Sequence, residues 1–230
     1  MKFGIVPVMV VAVFGIVAGM AAAEDGLKLA VADKEPPAEL SEDIRGQLAP
    51  KSYSIASADG TVYEFWFVPS LKSKVAGATA KETLLGVEEI SLLGALVVSD
   101  TEPHDFRDDP LDKGLYVLRV ALQPEDGNHL GTAPFDTFAI LMPNDKDHLL
   151  KDGYNHDNMV ELAQEGTIAE HPPILSLQPI EKEKAEGEFP RIEVNAEHEW
   201  EFLYIKFPID AAGTKTELTV GLVVQGIGEL

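Results

Sequence analysis

Gly114-Leu115-Tyr116-Val117-Leu118-Arg119-Val120-Ala121-Leu122, followed after a polar interval by Thr137-Phe138-Ala139-Ile140-Leu141-Met142, is the stretch whose reading decides the fold. Side chains alternate along a strand, so Tyr116, Leu118, Val120 and Leu122 share one face, while Leu115, Val117 and Ala121 share the other with Arg119. Both faces are largely apolar, which predicts a strand covered on both sides. The second run reads the same way, and Pro143 ends it. Between them, Gln123 to Asp136 is too long for a tight hairpin and too rich in Gly, Pro and Asp for a strand or helix. It is the candidate functional loop, with Asp126, Asn128, His129 and Asp136 as its candidate ligand-contacting residues.

Working outward toward the N-terminus, Ile90 to Ser99 is apolar enough for another doubly covered strand, and the acidic Asp100 to Lys113 joins it to the first. Ser52 to Ser57 and Thr61 to Val68 flank the turn signal Ala58-Asp59-Gly60 and predict a hairpin. Its second strand places Tyr63, Phe65 and Phe67 on one face and Val62, Glu64, Trp66 and Val68 on the other. Pro69 to Glu89 follows neither period and reads as loop with at most a short strand. Leu40, Ile44 and Leu48 recur at four-residue spacing behind Ser41, Glu42 and Asp43, which predicts a short helix ended by Pro50.

Toward the C-terminus, Met159, Leu162 and Ala163 at helical spacing predict a second short helix capped by Asn155 or Asp157. Strands are expected at Ile174–Gln178, Ile192–Val194, Glu199–Phe207 and Thr216–Val224. The last two are separated by a linker rich in Gly and Ala, and Ile180 to Phe189 reads as a solvated excursion. About eight strands with one or two short helices predict a mainly β domain, an antiparallel β-sandwich or partly open barrel, because an α/β fold needs helices between successive strands.

The N-terminus reads as a leader. Met1-Lys2 precedes an uncharged apolar run from Phe3 to Met20, and Ala21-Ala22-Ala23 fits a small-residue cleavage site ahead of Glu24. An uncleaved membrane anchor is the rival reading, since about 20 apolar residues span a bilayer. The expected organisation is residues 1–23 as signal peptide, 24–37 as a flexible or extended lead-in adding little to the core, and 38–230 as one β-rich domain. The expected location is periplasmic or extracellular. With no cysteine there is no disulfide, so the core or bound ions must hold the fold. Without Lys2 the chain has 17 basic against 39 acidic residues, a net charge of −22. That field repels phosphate backbones and anionic lipid, so neither nucleic acid nor a membrane is an expected partner.

Six histidines stand in polar segments beside acids. His129, His171 and His198 are the candidate ligands for a divalent ion such as zinc; His104, His148 and His156 are weaker, and no H-x-H or H-E-x-x-H spacing is present. Calcium is the other ionic possibility, from Asp108, Asp109 and Asp112 or from Asn144, Asp145, Asp147 and Asp152, although neither group follows the EF-hand spacing. Trp66, Trp200 and Tyr204 are candidates for a sugar-stacking platform, set against ordinary core packing. No G-x-S-x-G elbow, cysteine nucleophile or phosphate loop is present, so no catalytic residue is assigned.

The Gly114–Arg119 strand, Gln123-Pro124-Glu125-Asp126-Gly127-Asn128-His129-Leu130-Gly131 and His171-Pro172-Pro173-Ile174-Leu175-Ser176-Leu177 together resemble a family of uncharacterised exported bacterial proteins. The resemblance implies secretion and single-domain character and no particular activity. The expected function is binding, without catalysis, of an unknown protein or small ligand through end loops centred on 123–136. A metal-binding protein and a carbohydrate-binding or carbohydrate-active domain are the alternatives.

Overall fold

The computed structural model describes residues 28–56, 62–99, 103–123, 135–147, 155–165, 167, 169, 171–181 and 185–226, together with the backbone of 18–22. Among these residues the chain forms twelve strands in one sheet. They are β1 (Ala18–Ala22), β2 (Lys28–Ala32), β3 (Ser52–Ala56), β4 (Val62–Phe67), β5 (Leu71–Ser73), β6 (Leu92–Ser99), β7 (Gly114–Leu122), β8 (Thr137–Pro143), β9 (Ile174–Ile180), β10 (Arg191–Asn195), β11 (Trp200–Ala211) and β12 (Thr214–Gln225). The order β1-β2-β3-β4-β6-β7-β8-β9-β12-β11-β10 is antiparallel at every step, and β5 adds a short parallel pairing to the end of β11. The sheet curls into a nearly closed barrel in which β10 returns to within 8 Å of β1 and β2, measured between Cα atoms. The partly open barrel is therefore the correct one of the two expected forms, with more strands than the expected eight and three short helices.

Alternation along the strands explains how the barrel fills. Tyr63, Phe65 and Phe67 of β4, Tyr116, Leu118 and Val120 of β7, and Leu203, Ile205 and Phe207 of β11 belong to one buried cluster that draws on nearly every strand. On the opposite face of the same strands, Trp66, Val117, Ile140, Met142 and Phe202 form a second cluster. Two helices cover it: α1 (Glu42–Arg45) contributes Ile44, and α3 (His156–Gln164) contributes Met159 and Ala163. Ser41 caps α1 by accepting from the Ile44 amide, and Asn155 caps α3 by accepting from Asn158.

Three segments depart from the sequence reading. The lead-in is extended, but it contains β2, and Leu29 is buried in the interior cluster. Its short apolar run is a strand because β3 and β1 supply partners that local composition does not reveal. Residues 69–89 contain β5 and a helix, α2 (Ala80–Leu85), started by a capping box between Thr79 and Glu82. The Gly- and Ala-rich linker is instead a continuation of β11 and β12 into a two-residue turn. Ala212 and Gly213 take φ of 50° and 87° there, the left-handed pair that suits a twisted hairpin.

Candidate functional site

Strand directions sort the candidate residues between the two ends of the barrel. β7 finishes and β8 begins at the end where β11 turns into β12 and where β5 and α2 lie. The 123–136 loop is rooted there. Its base is closed by the Gln123 amide donating to the Asp136 carbonyl at 2.8 Å, and the Asp136 carboxylate meets Lys81 of α2 at 2.9 Å. Glu181, just beyond β9, accepts from the Ala80 amide at 3.1 Å, so α2 is held at the rim from two sides. Of the four loop residues singled out, Asp136 belongs to this rim; Asp126, Asn128 and His129 lie outside the described residues.

His171 and His198 belong to the opposite end, because β9 and β11 both start there. His171 is exposed, and His198 stacks on Trp200 with ring centroids 4.6 Å apart. The metal reading joins these two to His129, whose loop is rooted at the other end. His104 contributes its carbonyl to the Tyr63 hydroxyl, and His156 meets Glu89 at 2.7 Å through Nδ1. His148 lies outside the described residues. Among the described residues no three His, Asp or Glu side chains converge as metal ligands would.

Of the acidic residues considered for calcium, Asp109 and Asp147 meet arginines. Asp105, whose side chain is 1% exposed, accepts from the amides of Arg107, Asp109 and Ile174, and its carboxylate and that of Asp109 each lie 3.3 Å from the Arg107 guanidinium. Burial pushes the Asp105 carboxyl above its ordinary range, opposed by Arg107 and the amide donors. This knot ties the 103–112 loop to the start of β9. Asp108 and Asp112 are exposed beside it. In the second acidic group Asp147 pairs with Arg119 at 3.0 Å and Asn144 donates to the Glu39 carbonyl, while Asp145 is exposed and Asp152 lies outside the described residues.

The tryptophans are packed rather than displayed. Trp66 is 1% exposed beneath α1, with Nε1 donating to the Lys34 carbonyl, and Trp200 is 5% exposed between Phe106 and Phe202. Tyr204 stacks on Phe202, with the Arg191 guanidinium over its ring. Gly221 makes room for this row, since a Cβ there would come within 2.8 Å of the Tyr204 ring. No flat aromatic surface is left for a sugar by Trp66 and Trp200.

One constellation escaped the sequence reading. On the outer flank, Arg119 donates to Asp147 and to the Ile90 carbonyl. Glu89 accepts from the Leu122 amide and faces His156. Ile90 sits between these contacts with φ of 71°, a left-handed conformation that costs a β-branched residue about 1–2 kcal/mol. The cluster locks the segment entering β6 to the end of β7 that carries the candidate loop. Arg119, the one charge in an otherwise apolar strand, was the available signal; its partners lie 28 and 29 residues away and follow no period.

No family model, curated protein or solved structure matches this chain.

Proposed function

We propose that the protein is an exported, non-catalytic binding protein whose barrel is a rigid platform for the 123–136 loop. The observation that carries this reading is the way the loop is rooted. Its two flanking strands are among the most deeply buried in the molecule, and the root is closed by the Gln123–Asp136 hydrogen bond and braced by Lys81. Binding residues are commonly presented on loops held by a stiff scaffold. The interior is occupied by Tyr63, Phe65, Phe67 and their neighbours, so a ligand is met by the ends and outer surface rather than enclosed. The acidic surface favours a partner with basic or neutral contacts over phosphate-rich surfaces.

The test places a photo-crosslinking residue at Asn128 and, separately, at the exposed Ala196, between β10 and β11 at the opposite end of the barrel, in protein exported by its native host. A discrete adduct from position 128 and none from 196 is expected. Replacing 125–133 by an equally long Gly-Ser segment should abolish partner capture while leaving the melting temperature nearly unchanged, because loop-closure entropy depends on length. Adducts from 196 alone, or undiminished capture after the replacement, rule the loop out.

A further inference from the structure

One edge of the seam in the nearly closed barrel is β1, a strand that cleavage after Ala23 would remove. Ala18–Ala22 pairs antiparallel with β2, with Ala18 opposite Val31, Ala21 opposite Leu29 and Ala22 opposite Lys28. Cleavage after Ala23 takes this strand away. The β2 edge then has no hydrogen-bonded strand on that side: β10 approaches it to within 8 Å between Cα atoms but pairs only with β11. Sheets usually protect such edges with proline, bulges or inward charges. Lys28-Leu29-Ala30-Val31-Ala32 has no proline and no inward charge: its inward residue Leu29 is buried and Val31 packs on the same cluster. Across the seam, Ile192 and Val194 of β10 contribute to that cluster too.

We infer that the seam between β2 and β10 in the processed protein is a strand-acceptor site, filled by an extended segment of a partner polypeptide running antiparallel to β2. The segment has small apolar residues opposite Leu29 and Val31. The main-chain hydrogen bonds come from the β2 edge, and the small residues are required by Leu29, Val31, Ile192 and Val194, which belong to the interior cluster on the two sides of the seam. The precursor's own Ala18–Ala22 occupies this edge in that direction, with Ala21 opposite Leu29 and, across a register shift, Ala18 opposite Val31, which sets the polarity of the occupant and the small residue types at those two positions. The inference rests on the export reading and is independent of the 123–136 loop.

The experiment compares the full-length precursor with processed protein recovered from an exporting host, whose N-terminus is established by mass. The probe is a fluorescent peptide of residues 17–23 with a lysine tail. Saturable binding to the processed form and at least about tenfold weaker binding to the precursor are expected, with alternate N-methylation of the peptide abolishing it. Because the chain has no cysteine, Val31→Cys in the protein and a cysteine at the Ala18 position of the peptide should form a disulfide, whereas a cysteine one position along should not. No binding to protein that begins at Glu24 overturns the inference. Size-exclusion then separates a seam closed by a second copy from one closed by β10. An N-terminus still at Met1 overturns the cleavage reading and the open seam with it.

Discussion

Replacing Asp147 by Asn removes one charge from a pair that solvent does not screen. The side chains of Arg119 and Asp147 are 5% and 0% exposed and 3.0 Å apart. At an effective dielectric of about 20, that separation corresponds to a gross attraction of about 5 kcal/mol, offset in the native protein by the cost of desolvating both ions. The variant keeps the desolvation cost of Arg119 and loses this attraction, and breaking a buried pair by removing one partner's charge costs about 3–5 kcal/mol. For a domain of this size that is a fall in melting temperature of about 6–20 °C. Urea titration followed by tryptophan fluorescence is the assay, since Trp66 and Trp200 are both buried and report loss of the core. The double variant Arg119→Met, Asp147→Leu should recover most of the deficit, less about 1 kcal/mol for the Ile90 carbonyl left without its donor. A loss below about 1 kcal/mol in Asp147→Asn refutes the reasoning, because it means that the pair is solvated.

Three further outcomes are expected. Gly94→Ala should cost at least about 2 kcal/mol in the same titration, because a Cβ at the irregular β6–β7 register would sit 2.3 Å from the Trp66 carbonyl oxygen, a backbone atom with no rotamer to escape into. Ala212→Asn should raise stability by about 0.5–1 kcal/mol and the melting temperature accordingly, since the exposed residue sits at φ of 50°, where Asn is more tolerant, and creates an Asn-Gly turn. Asp105 has a folded-state pKa raised above its unfolded value, so the native state binds its proton more tightly and this group's contribution to stability grows as pH falls through the raised value toward the ordinary carboxylate range. The stability difference between wild type and Asp105→Asn should accordingly move in the wild type's favour over that interval; a difference independent of pH contradicts the burial of this carboxyl.

The hairpin of β3 and β4, the doubly covered strands β6, β7 and β8, and the caps at Ser41 and Asn155 were legible because each depends on alternation or on one side chain meeting an amide three residues on. The Thr79–Glu82 capping box was equally local and available, but the mixed composition around it obscured the helix. β2 was not available in this way: five residues with one buried leucine are a strand only when β3 and β1 complete their hydrogen bonds. The choice between sandwich and barrel was likewise beyond local pattern, since it turns on whether β10 returns to the first strands.

The sequence by itself determined the chemistry that is additive over residues: the absence of crosslinks, an acidic net charge of −21, β class, and the alternation that separates interior from exterior. Only the tertiary structure decided which groups meet. It roots the 123–136 loop at one end of the barrel and places His171 and His198 at the other, brings Asp109 and Asp147 against arginines, and buries both tryptophans. The physical reason is that strand direction and pairing are long-range: a residue's neighbours along the chain fix which face it takes, and the closure of the sheet fixes what it faces.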